Sequence, residues 1–351
     1  MSGGEHKSQT GRGTAWTGSW RRERLLVTPK PDHAWWHSHA QAPTILPLSD
    51  RLWRVYFAVR ERQPRSHILC ADIDPADGFR LLRIHPDPVL QLGAEGTFDS
   101  GGMGPGCALM IDDQVYLYYT GLAPRCDIPH QLAIGLAVSD DGVRFRRKCK
   151  GPVLSTGPRD PLFASTPCVR QGKDGFEMWY ASGTGWRRVG EAWEPSYVIR
   201  HARSHDGIIW SLATELTLPS TAKIDYGQVR SWVLQGPDGL HLWYSRRGSE
   251  FRAPGDAAYR LMHTVLDGRS LSEWLPQPIT FENPPREGDW DSWMQAYPCV
   301  ARFRDDLVMF YNGDHFGRAG FGYARLIGAA KSMTGEAESN HPAISRPETS
   351  L

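Results

Sequence analysis

The chain has 351 residues, 40% of them hydrophobic and 11% aromatic, which supplies one large core, and 36 Gly with 26 Pro suit a turn-rich β architecture. A formal charge of +1 leaves no global case for nucleic acid as a partner. No apolar run reaches membrane-spanning length and the start, MSGGEHKSQTGRGT, has no hydrophobic signal core, so no membrane partner and a cytoplasmic location are expected.

In chain order, residues 1–18 read as a polar tail. RRERLLVTPK, Arg21 to Lys30, is a strand with no partner beside it. Next comes QAPTILPLSDRLWRVYFAVRE from Gln41, a strand, a turn and a second strand. The same order recurs in FDSGGMGPGCALMIDDQVYLYYTG from Phe98, FASTPCVRQGKDGFEMWYASG from Phe163, RSWVLQGPDGLHLWYSRRG from Arg230 and QAYPCVARFRDDLVMFYNG from Gln295. The turns are Asp-Asp, Lys-Asp-Gly and Pro-Asp-Gly, so each copy predicts a hairpin. Aligned on their second strands, Val59, Tyr119, Tyr180, Tyr244 and Tyr311 fall in register, 60, 61, 64 and 67 residues apart by subtraction. A third strand is visible in LAIGLAVSDDGVRF, YVIRHARSHDGIIW, YRLMHTVLDG and GFGYARL.

Five such units, none able to bury both faces alone, predict an all-β, five-bladed β-propeller over residues 19–326. The last unit ends near Leu326 without a fourth strand, so the N-terminal strand is expected to close the last blade. Residues 327–351 read as a second polar tail. Cys107, Cys168 and Cys299 hold one place in three repeats, which fits small buried thiols better than disulfides.

In a propeller the residues just before each innermost strand converge at one mouth of the channel. Counting back six or seven positions from Pro43, Pro105, Pro167, Ser231 and Pro298 gives His37, Asp99, Asp160, Asp225 and Asp291, a ring of one histidine and four acids. The alternative for each acid is a turn cap. His37 and His39 share one face of an extended segment, placed for proton transfer, to hold a metal with Asp99 or Asp160, or as two polar rim histidines, the rim reading being preferred to the metal. No metal and no cofactor is assigned.

RVYFAVRERQPRSHI, GTFDSGGMGP, YLYYTGL, KGPVL, MWYASGTGW, ARSHDGIIW, WDSWMQAYP and FYNGDHFGRAGFG resemble the five-bladed propeller proteins related to glycoside hydrolase families 43, 32 and 130. The resemblance spans about residues 33 to 326 and is nearest to uncharacterised relatives found beside bacterial surface-polysaccharide and sugar-biosynthesis genes. It implies a general base or nucleophile Asp immediately before the first-strand proline of blade one, with a general acid Glu from a later blade. Two carboxylates are needed because protonating the leaving oxygen and activating the attacking group are separate tasks. In this chain the corresponding residues are Ala42, Gly104, Thr166, Arg230 and Tyr297, and none is a carboxylate. PRDP, at Pro158 to Pro161, resembles the Arg-Asp-Pro of invertase-like enzymes and implies that Asp160 holds sugar hydroxyls.

Of the 14 tryptophans, Trp179 and Trp243 are expected in the core, whereas Trp35, Trp36, Trp186, Trp290 and Trp293 flank strands and suit the walls of a sugar-binding pocket. Arg159, Arg230, Arg246 and Arg247 are placed either to meet a phosphate or carboxylate on a ligand or to pair between blades. The expected machinery is therefore Asp160, Asp99, Asp291, His37 and His39, with Trp36, Arg159, Asp225, Arg230, Trp186, Trp290, Trp293 and Tyr297 binding a small sugar or sugar-derived substrate. Three readings stay open: a glycosidase-like enzyme, a repurposed propeller with a non-hydrolytic reaction, and a non-catalytic sugar-binding propeller.

Overall fold

The computed structural model describes residues 16, 18–63, 65–218, 226–267, 270–271 and 275–327. Most of both expected tails, and Asp225, lie outside the described residues. The chain is all-β, as expected, and begins with the strand β1 (Ser19–Val27). Four strands follow in hairpin order, β2 (Ser38–Ser49), β3 (Leu52–Arg60), β4 (Ser66–Asp74) and β5 (Arg80–Ile84). The next four are β6 (Gly102–Ile111), β7 (Gln114–Pro124), β8 (His130–Ser139) and β9 (Arg146–Arg147). Then come β10 (Ala164–Gly172), β11 (Gly175–Val189), β12 (Ala192–Ser204) and β13 (Ser211–Leu216). They are followed by β14 (Gly227–Gly236), β15 (Gly239–Arg247), β16 (Arg260–Asp267), β17 (Ser270–Leu271) and β18 (Gln277–Pro278). The chain closes with β19 (Ala296–Phe303), β20 (Asp306–Asn312) and β21 (Phe321–Ile327).

Hydrogen bonding gathers these strands into three sheets of four, nine and eight strands among the described residues. The eight-stranded sheet joins β2–β5 to β6–β9 through one parallel bridge, Ser66 to Gly102. In the nine-stranded sheet, Tyr197 to Gly227 does the same between β10–β13 and β14–β18. β1 pairs antiparallel with β21, so the N-terminal strand lies at the outer edge of the final sheet, where it was expected. Among the described residues no backbone ladder ties the three sheets together, but the first strands touch one another in the cyclic order β2, β6, β10, β14, β19 and back to β2.

The thiols explain part of that ring. Cys107, Cys168 and Cys299 are free and buried. Each sulfur accepts a backbone N–H from a neighbouring first strand: Val169 to Cys107 at 3.0 Å, Val233 to Cys168 at 3.4 Å and Ile45 to Cys299 at 3.3 Å. A small sulfur is needed there because a larger side chain would push adjacent first strands apart. Around this axis the second strands form the core. Tyr56, Tyr118, Tyr180, Tyr244 and Tyr311 are fully buried together with Trp179 and Trp243. No helix among the described residues is long and apolar enough to cross a membrane.

Candidate functional site

The site begins with a backbone irregularity. In each first strand the pairing with the second strand slips by a residue near the predicted proline or its equivalent, between Gln41 and Thr44, Pro105 and Cys107, Ser165 and Cys168, Val229 and Trp232, and Ala296 and Cys299. At four of these bulges a non-glycine residue holds a left-handed conformation: Ala42 (φ 56°), Thr166 (φ 47°), Arg230 (φ 58°) and Tyr297 (φ 61°). Such backbone is unfavourable for side chains, most of all for a β-branched threonine, and bulges of this kind re-aim side chains at binding sites.

Neighbouring side chains hold the bulges in place. Ala42 N–H donates to Asn312 Oδ1 at 2.7 Å, Thr166 N–H to Thr120 Oγ1 at 2.8 Å and Tyr297 N–H to Ser245 Oγ at 2.7 Å. Asn312, Thr120 and Ser245 each directly follow the aligned second-strand tyrosine of the preceding unit. The result is one cavity of about 750 Å³ lined by Ala42, Gly104, Thr166, Arg230 and Tyr297 together. Ala42 is the position before the first-strand proline of the first unit, where the sequence resemblance implies a catalytic Asp, and the other four are its equivalents in the later units.

The acids predicted for that cavity do not line it. Asp99, Asp160 and Asp291 are 1%, 0% and 0% exposed, and each accepts a hydrogen bond from the tyrosine 20 residues ahead, namely Tyr119 at 2.8 Å, Tyr180 at 2.9 Å and Tyr311 at 2.6 Å. Each is also held by an arginine. Arg147 Nε donates to Asp99 at 2.9 Å, Arg22 Nε to Asp291 at 2.9 Å, and Arg200 Nε lies 3.5 Å from Asp160. The physical reason is reach. The loop carrying the acid folds over the end of its own second strand, where a glycine leaves room. A Cβ on Gly121 would sit 2.7 Å from the Asp99 Cβ, and one on Gly183 2.5 Å from Phe163. The side chain therefore turns back into its own sheet, and the geometry gives these acids the work of tying loop to blade.

The remaining predicted residues divide. His37 is exposed and lies outside the cavity lining. His39 is half-buried, with Nδ1 at 2.9 Å from Ser38 Oγ, and burial first, then Arg60, Arg318 and His315, push its pKa down to about 4. Trp36 is fully buried against Phe57 and is not a wall of the cavity. Trp290 packs on Tyr311 and Trp293 on His315, both away from the lining. Trp186 stands behind two lining residues, with ring centres 5.4 Å from His130 and 6.1 Å from Phe163. Arg159 is exposed and bonded to Thr214 Oγ1 at 2.9 Å, and Arg246 is not in the lining.

Arg230 and Arg247 do reach the cavity, but their donors are largely committed. Arg230 donates to the carbonyls of Pro105 and Gly106 at 2.7 Å and of Ala42 and Pro43 at 3.3 and 3.0 Å, and to Thr44 Oγ1 at 2.6 Å. It closes the floor, and the expectation that its fork meets a ligand is corrected by those five bonds. Arg247 Nε donates to Tyr197 OH at 2.7 Å, and its guanidinium lies 3.9 Å from the centre of the Phe251 ring. Tyr197 OH is bonded to Tyr259 OH, and Tyr259 faces Tyr297 with ring centres 5.7 Å apart. Burial, then Tyr197, pushes Tyr297 up to about 12, so its hydroxyl stays protonated at neutral pH, and Tyr297 lines the cavity.

Several lining residues were not legible as site residues. β11 and β12 extend past the rest of their sheet, and the end of this hairpin brings Glu191, Trp193 and Glu194 into the lining. Glu194 is 3% exposed and accepts from Arg252 Nε, whereas Trp193 is 37% exposed and stacks under Arg188. Arg60 and Arg252 complete the wall. The one signal for the hairpin is the unusual length of TGWRRVGEAWEPS between the second and third strands of that repeat.

With this geometry in hand, known proteins supply the context. No protein-family model matches the chain. A curated protein of Mycobacterium tuberculosis strain H37Rv, uncharacterized protein Rv1502, is 33% identical over 308 residues, covering 88% of this chain and 99% of its own. The chain belongs to the Rv1502 family. An uncharacterized protein of strain CDC 1551, MT1551, matches over the same extent. Among solved structures, a glycosyl hydrolase from Bacteroides ovatus superposes with a TM-score of 0.68 at 12% identity, covering 90% of this chain and 95% of that one. β-1,2-Mannobiose phosphorylase from Listeria innocua gives 0.61 at 12% identity, covering 88% and 96%. These likenesses show the fold: the sheets of the Rv1502 family resemble those of glycoside-processing propellers.

Proposed function

We propose that this chain is a five-bladed propeller that binds a glycoside or another sugar derivative in its axial cavity and acts on it there. One observation carries the reading: four bulge residues, Ala42, Thr166, Arg230 and Tyr297, together with Gly104, come from five separate first strands and line a single cavity, on a scaffold like that of glycoside hydrolases. The five blades are β2–β5, β6–β9, β10–β13, β14–β18 and β19–β21 with β1. Trp193 at the rim offers an apolar ring face to a sugar, and Tyr297 and Ser165 offer hydroxyls inside. The lining carboxylate we assign as general acid or base is Glu194, because a leaving oxygen must receive a proton. The relatives implied by the sequence lie beside sugar-biosynthesis genes, so a biosynthetic sugar is the class of ligand to try first.

A second reading has its own observation. Two carboxylates that face each other across a glycosidic bond are the ordinary hydrolytic arrangement. In this lining Glu191 is exposed and Glu194 is paired with Arg252, which favours a non-hydrolytic step or binding alone. One experiment tests sugar binding in the cavity, which both readings share, together with hydrolysis of ordinary glycosides. The protein is incubated with aryl arabinosides, xylosides and fructosides while sugar binding is followed by calorimetry. Weak or absent hydrolysis with saturable sugar binding, lost in Trp193→Ala with Tyr297→Ala, is the expected result. Efficient turnover of the aryl glycosides refutes the repurposed site, and binding untouched by the double variant refutes the cavity as its location.

A further inference from the structure

Five arginines line the cavity, Arg60, Arg65, Arg230, Arg247 and Arg252, against two glutamates. Arg65 is paired with Glu61 and Arg252 with Glu194. The other three form no ion pair among the described residues, although Glu194 is near enough to Arg247 to favour its charge. A buried, unpaired cation is costly unless dipoles or ring faces offset it, and Arg230 and Arg247 are both 1% exposed. Arg230 has its carbonyls and Arg247 its aromatic faces. Arg60 is exposed, so water solvates its charge, and a single side-chain hydrogen bond, to Gln41 Oε1 at 3.4 Å, leaves most of its donors open to a ligand.

The repeat shows that Arg60 is out of place structurally. It directly follows Val59, so it stands in register with Thr120, Ala181, Ser245 and Asn312. In three of the other four units this position supplies an oxygen that accepts the N–H of the neighbouring bulge. A guanidinium has no acceptor to offer, and the neighbouring unit carries Gly104 at the corresponding position. Arg60 therefore does nothing for the bulge and instead adds positive charge to the cavity wall. Nearby charge runs the same way: Arg252 and Arg60 lie close enough to repel, and His39 resists protonation through burial first and then through Arg60, Arg318 and His315.

We propose that the cavity's ligand carries an oxyanion, a carboxylate or a phosphate ester, held by Arg60 and Arg252 next to the Tyr297 hydroxyl. Arg252 meets Glu194 through Nε, and its terminal nitrogens have no bonded partner among the described residues. Two planar forks match the oxygens of such a group, and the donor Tyr297 adds a third contact. A volume of about 750 Å³ is far more than a free phosphate fills, so the anion is borne on a larger ligand. This inference rests on the sugar-site reading above.

Calorimetry on the full chain with glucose, glucuronate, glucose 1-phosphate and inorganic phosphate tests both, using Arg60→Gln and the remote Arg125→Gln as control. The expected result is that at least one of the two sugar anions binds about tenfold or more tightly than glucose, and that Arg60→Gln alone removes the difference. Sugar anions no tighter than glucose, or an advantage that survives Arg60→Gln, overturn the oxyanion subsite and leave the sugar reading standing. Inorganic phosphate binding as tightly as the sugar anions overturns the sugar-borne anion. No saturable binding of any of the four overturns this inference and the sugar reading together.

Discussion

Arg230 is 1% exposed, carries its charge into the floor of the cavity and binds five oxygens drawn from β2 and β6. Burial is the largest influence on it and lowers its pKa, so the carbonyl cage is what keeps the cation tolerable. Replacing it by Met leaves four carbonyls short of a donor, and a loss of about 1–3 kcal/mol is expected in urea unfolding, the cost of leaving buried acceptors unsatisfied. A loss below about 1 kcal/mol contradicts the floor role. Glu194→Gln keeps shape and removes the proton-carrying carboxyl, so any turnover found should fall by about 10²-fold or more with ligand affinity little changed. Turnover that survives removes Glu194 from the chemistry.

His39 gives the pH dependence. Its native pKa is about 4 against an ordinary 6.5, so on acidification the unfolded chain takes up the proton first. The stability that comes from keeping His39 neutral is present above about pH 6.5 and is lost as pH falls toward about 4. Unfolding free energies at several pH values across that window should decline with acid in the wild type and decline less in His39→Gln. Equal slopes contradict the assignment.

At the scale of elements, β1 is the outer strand that β21 needs, and Arg22 on it is the cation of Asp291. Arg22→Ala leaves a fully buried carboxylate with Tyr311 alone, and a destabilisation of about 3–5 kcal/mol is expected. An effect under about 1 kcal/mol says that β1 is docked by its backbone only. The hairpins were legible because their turns and alternating strands recur with Tyr119, Tyr180, Tyr244 and Tyr311 in register. The bulge positions were legible from the same register, since Ala42, Thr166, Arg230 and Tyr297 precede the predicted prolines or their serine equivalent. The direction in which an acid points was not. Asp99 and Asp160 sit at the expected offset, yet a loop that folds over a glycine turns them toward their own tyrosines. The constant 20-residue separation from those tyrosines is the sequence signal for that tie. Arg252 and Glu194 escaped because they come from a connection and a hairpin extension outside the repeat, and Arg60 because its repeat position, after Val59, serves elsewhere to cap a bulge.

At the scale of the whole molecule, a ring of first strands joined through thiols and side-chain caps, without one continuous ladder, fixes five strand starts around one cavity. A ligand there touches several units at once and should stabilise them together, by about 2.7 kcal/mol at a hundredfold excess over Kd. The most direct test of the account is mass-spectrometric detection of turnover and binding across matched neutral and anionic glycosides, for the wild type, Glu194→Gln and Arg60→Gln. The account predicts that an anionic glycoside is bound and converted by the wild type, bound without conversion by Glu194→Gln, and poorly bound by Arg60→Gln. Conversion of neutral glycosides at rates that neither substitution changes contradicts it, and so does a panel in which nothing binds.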